Sequence, residues 1–109
     1  MEEVTRREKI EAMLAHEPAD TFLRYSLAME LRKEGDFDAS LARFRTLMSD
    51  APPHIPSFFM AGKLLVRLHE VEQARTVLRE GIEQARTQGD HHAAGEMSEF
   101  LVALGAAGG

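Results

Sequence analysis

The stretch "EGDFDASLARF", residues 34–44, decides the fold. Gly35 suits the left-handed position just past a helix C-terminus. Beyond it, Phe37, Leu41 and Phe44 recur at helical spacing. One helix therefore stops here and a second starts almost at once. Upstream, Leu23, Leu27, Ala28 and Leu31 form one apolar stripe behind Asp20, a good N-cap. Downstream, Leu47 and Met48 extend the second stripe until Pro52-Pro53 ends it. The same pattern continues outward. Ile10, Met13 and Leu14 predict a first helix that stops at Pro18. A fourth helix opens with Pro56 in its first turn, where a missing N–H costs nothing, and runs to about Leu68. A fifth spans Val71 to about Gln88 and closes at Gly89. The sixth is capped by Asp90 and presents Ala94, Met97, Phe100, Leu101 and Leu104. No run alternates in the manner of a strand, and Asn-Gly and Asp-Gly hairpin signals are absent. The fold class is all-α.

The helices are not independent. Sliding residues 21–54 onto 55–88, an offset of 34, places Leu27 on Ala61, Ala28 on Gly62, Leu31 on Leu65, Ser40 on Ala74 and Phe44 on Leu78. Each pair matches in being apolar or small, and a generic bundle has no reason to keep one register through two helices and two loops. The same offset carries Ile10 to Phe44, Met13 to Leu47 and Pro18 to Pro52, so the first helix reads as the second half of a repeat.

A helix–turn–helix repeat of this length, with Phe58-x2-Ala61-Gly62-x2-Leu65 then Ala74-x3-Leu78 in one copy and Leu27-Ala28-x2-Leu31 then Ser40-x3-Phe44 then Pro52 in the other, resembles the tetratricopeptide repeat (TPR) family. Two positions depart from it: Arg24 stands where a large apolar residue is usual, and Arg86 stands where proline would end the second repeat. The resemblance implies a right-handed α-solenoid of about six antiparallel helices. Its parts are a half repeat (3–18), repeats 21–54 and 55–88, a capping helix 90–104 whose stripe runs about one residue late, and a disordered tail 105–109. Ala28 and Gly62 fall where paired helices cross, with Ser40 and Ala74 opposite, because close axes leave no room for large side chains. His69 takes the turn position that Gly35 holds in the preceding repeat, and His tolerates positive φ better than most residues.

The resemblance further implies that the first helix of each pair lines a concave groove holding a peptide or helix segment of a partner protein. The family's groove positions fall on Phe22, Tyr25, Met29, Arg32 and Lys33, then Phe59, Lys63, Val66 and Arg67, with His91 at the far rim. This set holds aromatics and cations and no carboxylate in a chain of net charge −5. Segregated positive charge favours an acidic partner segment. Phe22, Tyr25 and Phe59 stand open to either role, packing between repeats or facing the partner. The carboxylate clamp with which some TPR domains hold acidic C-termini is absent in its usual form: the chain contains no Asn, and Tyr25 and Met29 stand at the matching positions.

The remaining function classes are narrowed by composition. There is no cysteine, which excludes disulfides, thiolate metal sites and a cysteine nucleophile. The N-terminus is charged, and no stretch approaches the roughly 20 apolar residues of a membrane span, so a cytoplasmic protein that binds no membrane is expected. Net negative charge disfavours nucleic acid, which selects Lys and Arg. No H-E-x-x-H, nucleophile elbow or phosphate loop occurs. The chemically suggestive segment is "GDHHAAGE", residues 89–96, in which His92 and Glu96 share a helix face. Metal sites need three or four protein ligands, Asp90 is already an N-cap, and the first turn of a capping helix is the simpler reading. The expectation is a non-enzyme without cofactor or metal, binding another protein. It would be a monomer or weak homodimer, with self-assembly as the alternative function and a metal-dependent enzyme around His91, His92 and Glu96 as a third. Nothing in the residues names the partner or its pathway.

Overall fold

A computed structural model describes residues 3–108, which form six α-helices and no strand. They are α1 (Arg6–His16), α2 (Thr21–Lys33), α3 (Phe37–Met48), α4 (Ile55–Arg67), α5 (Val71–Thr87) and α6 (His91–Gly108). Each packs on the next in sequence and α4 also touches α6, so the chain is a stack, 53 × 29 × 18 Å, and not a closed bundle. Among the described residues no helix is long and apolar enough to cross a membrane.

Local chemistry sets the boundaries. Asp20 accepts the Leu23 N–H at 2.9 Å, and Asp90 accepts that of Ala93 at 3.1 Å, satisfying donors left open at a helix start. Helices α2, α4 and α5 end alike. Gly35, His69 and Gly89 take φ of 85°, 63° and 77°. The following N–H groups of Asp36, Glu70 and Asp90 bond back to Leu31, Leu65 and Ala85 at 2.8–2.9 Å. This is the left-handed closing turn that favours glycine, and His69 fills it as the sequence implies.

Within each repeat the paired helices meet through small residues. Ser40 and Ala74 are fully buried, and the Ser40 hydroxyl donates to the Ala28 carbonyl at 2.6 Å, tying α3 to α2. A Cβ on Gly62 would lie 2.7 Å from Leu78 Cδ2, and one on Gly81 would lie 2.6 Å from Phe58 Cβ, so both glycines are required by close approach. The main core runs from Ala28 to Met97. A separate small cluster of Ile10, Leu27 and Leu31 docks α1, with ion pairs Arg6–Glu30 (3.2 Å) and Arg7–Glu34 (3.4 Å) outside it.

Three expectations are corrected. Met13 is 49% exposed, because no helix covers its side of α1 among the described residues. The tail 105–109 is not disordered over its described part: α6 continues to Gly108, since Ala106 and Ala107 are strong helix formers and one Gly is a small cost. Gly109 lies outside the described residues. The last helix is out of register by more than expected. Asp20 to His54 spans 34 residues, but His54 to Asp90 spans 36, because α5 has 17 residues against 12 in α3 while the loop after it has three residues against six.

Candidate functional site

The first helices of the successive units, α2, α4 and α6, leave a hollow of about 270 Å³ between their N-terminal halves. Its walls are Tyr25 from α2, Ile55, Pro56, Phe59 and Met60 from α4, and Ala93 and Met97 from α6. Its rim carries Asp90, His92 and Glu96. The volume falls just below the roughly 300–1,000 Å³ of small-molecule sites.

Packing fixes the walls. Tyr25 lies against Phe44 (ring centroids 5.8 Å apart) and His54 (4.9 Å), joining α2 to the start of α4. Burial raises the Tyr25 phenol pKa, and nearby Arg32 opposes that rise. Phe59 meets the edge of Phe100 at 5.6 Å, joining α4 to α6, and the Lys63 ammonium sits 4.0 Å over its ring. Such a cation is worth about 0.5–1 kcal/mol at an exposed site.

The groove residues expected from the sequence divide accordingly. Tyr25 and Phe59 are half-buried walls, so they pack the stack and face the hollow together. Met29 and Val66 are half-buried against the core, and Arg32 is half-buried. Phe22 is 76% exposed and does not line the hollow. Lys33 is exposed at the end of α2. Arg67 lies 4.9 Å over the Phe37 ring at the base of α3, away from the walls. His91 is exposed and off the rim, whereas His92 is on it. With α6 displaced by 36 residues instead of 35, the counterpart of Pro56 is His92. The same displacement brings in Asp90, Glu96 and Met97, which a 34-residue offset could not reveal.

Two other arrangements have a chemical look. His92 Nε2 and Glu96 Oε1 are 3.2 Å apart, yet among the described residues no group of three or more His, Cys, Asp or Glu gathers as metal ligands do. His54 Nδ1 lies 2.8 Å from the Ser57 hydroxyl, with Asp50 close enough to act on the imidazole. Ser57 is fully buried, so its oxygen meets no substrate and the pair closes the start of α4. Burial lowers the His54 pKa, and Asp50 opposes this. Asp50 itself is held below the usual carboxylate range by its hydrogen bonds from Arg24, at 2.7 and 3.1 Å. That contact explains Arg24: its guanidinium ties α2 to the loop before α4.

The chain is similar to two solved structures. One is the solution structure of a protein from Bordetella parapertussis, with TM-score 0.82 and 27% identity, covering 95% of this chain and 90% of that one. The other is the solution NMR structure of a tetratricopeptide repeat domain protein from Salinibacter ruber, with TM-score 0.75 and 31% identity, covering 80% of this chain and 88% of that one. No family model matches the chain, and no curated protein matches it.

Proposed function

The chain belongs to the tetratricopeptide repeat family, and from that premise we propose that it is a non-catalytic interaction module whose groove, between α2, α4 and α6, holds a segment of a partner protein. The hollow walled by Tyr25, Phe59, Met60 and Met97 carries this reading, because three helices contribute apolar side chains to one open cleft. Large apolar and aromatic anchors seated in such clefts supply most of the energy at protein interfaces. Arg32, Lys33, Lys63 and Arg67 have no ion-pair partner among the described residues. For Arg32, Lys33 and Arg67 a local role is also present, since each complements the dipole at a helix C-terminus. Lys63, a turn earlier and over Phe59, has no such role.

The test is capture of partners by the intact chain and by the double variant Arg32→Glu with Lys63→Glu, with circular dichroism confirming the fold. A partner bound by the wild type and lost by the variant is expected. Equal recovery by both would remove the groove from the account.

A second reading, self-association, is favoured by one observation: Phe22, a large apolar side chain 76% exposed beside the groove. Light scattering across concentration decides it. Self-association through this residue requires a mass that rises with concentration and stops rising in Phe22→Ser.

A further inference from the structure

The sign of the partner's charge follows from how charge is distributed across the groove. The inference rests on the groove reading above and names the partner's chemistry. Helix α6 contains no Lys or Arg; its charged side chains are Glu96 and Glu99, and Asp90 caps its start. Helix α4 contains no Asp or Glu, and its cations are Lys63 and Arg67. On α2, Glu30 is engaged by Arg6, and Arg24 engages Asp50, which leaves Arg32 and Lys33. Of these cations Lys63 stacks on a wall residue, Phe59, so the groove is basic beside its α4 wall, apolar at the hollow, and acidic along its α6 rim. Glu96 is half open to solvent, with the His92 imidazole 3.2 Å from one carboxylate oxygen.

We propose that the occupant is a segment of another protein in which a bulky apolar residue is flanked by an acidic residue on one side and a basic residue on the other. The apolar residue fills the hollow against Phe59 and Met60. The acidic residue faces Lys63, and the basic residue faces Glu96 and Asp90. A uniformly acidic segment meets repulsion along α6, so the mixed segment is the better complement. Spacing follows from geometry. Packed helices stand about 8–10 Å apart and an extended chain advances about 3.3 Å per residue, so the two opposite charges sit about three residues apart.

The experiment uses three blocked peptides titrated into the ¹⁵N-labelled full chain: Ser-Glu-Glu-Leu-Phe-Arg-Arg-Ser, the same peptide with both Arg replaced by Glu, and the same with both Glu replaced by Arg. The mixed peptide is expected to bind about fivefold or more tighter than either single-sign peptide, the size of effect that one or two solvent-exposed ion pairs give. The shifts should centre on the amides of Tyr25, Phe59 and Met97. In Glu96→Lys the order should invert, with the all-acidic peptide strongest. If the all-acidic peptide matches or beats the mixed one on the unaltered chain, with the same amides shifting, the charge assignment falls while the groove reading stands. If Glu96→Lys leaves the order unchanged, the charge assignment also falls. If no peptide moves those amides at millimolar concentration, both fall.

Discussion

Arg24 and Phe58 occupy the same position of two successive repeats, 34 residues apart, and solve the same problem with opposite chemistry. Phe58 is 3% exposed and is wedged against Gly81, filling the crossing of α4 and α5. Arg24 is only partly covered and reaches out to Asp50 in the loop before α4. The second repeat joins its own two helices at this position by exclusion of water. At the same position the first is held by a bidentate ion pair at its rim. Repeat registers are kept by the small crossing residues and the turns, so the large position is free to change character as long as something joins the units.

The two solutions should differ most under truncation. Phe58→Ala removes a buried ring and leaves a cavity, at a cost of about 3–5 kcal/mol in urea denaturation. Arg24→Ala removes a partly exposed pair and should cost about 1 kcal/mol or less. Equal losses would show that Arg24 packs as a hydrophobe through its stem and would erase the contrast.

A second difference lies at the helix crossings. The first repeat keeps α2 and α3 close with the Ser40 hydroxyl on the Ala28 carbonyl. The second has Ala74 and a bare Gly62, with Leu78 filling the room a side chain would need. Gly62→Val should therefore lose about 1–3 kcal/mol by overpacking, in the range given for inserted methylenes. Ala28→Gly should lose about 1–2 kcal/mol, from helix backbone entropy and the loss of a fully buried methyl. A Gly62→Val protein as stable as the parent would mean that α4 and α5 can slide apart, which the fully buried Leu78 argues against.

These contrasts show which features were legible in the sequence. Stops and starts were legible because each depends on a residue or two: Asp20, Gly35, Pro56, Gly89, Asp90. The repeat register was legible because small residues must recur where backbones approach. The partner of Arg24 was not, since Asp50 lies 26 residues away and no local pattern marks it. Nor was the acidic rim of the hollow. Helix α5 is five residues longer than α3 and the loop after it three residues shorter, so α6 enters two residues late and brings His92 and Glu96 to the rim instead of His91. Phe22 and Tyr25 share one helical stripe, but only Tyr25 has the ring of Phe44 beneath it, a depth that spacing does not encode.

The ion pair also makes the first repeat the pH-sensitive one. Hydrogen bonds from Arg24 lower the Asp50 pKa below its unfolded value, so the pair's contribution is fully present above about pH 4 and is lost as pH falls through the folded value. Burial lowers the His54 pKa, so the unfolded chain takes up that proton first. Stability then declines as pH falls below about 6.5. Both effects point the same way, and two successive losses are expected in denaturation midpoints followed from pH 8 to pH 3. Arg24→Met should abolish the lower step and keep the upper one. A variant that keeps the lower step would assign it to another carboxylate.

The smallest difference is in the closing turns. Gly35 and His69 make the same pair of backbone bonds at φ of 85° and 63°, and nothing crowds a Cβ at Gly35. An L-residue in this region costs about 1–2 kcal/mol, and part of that is offset because glycine loses more entropy on folding. His69→Gly should therefore stabilise the chain, by about 0.5 kcal/mol, a rise in melting temperature of roughly 2–4 °C for a domain of this size. Gly35→His should fall by a similar amount. If His69→Gly melts lower instead, the imidazole contributes a contact worth more than the strain, and the second turn would differ from the first in kind and not only in residue.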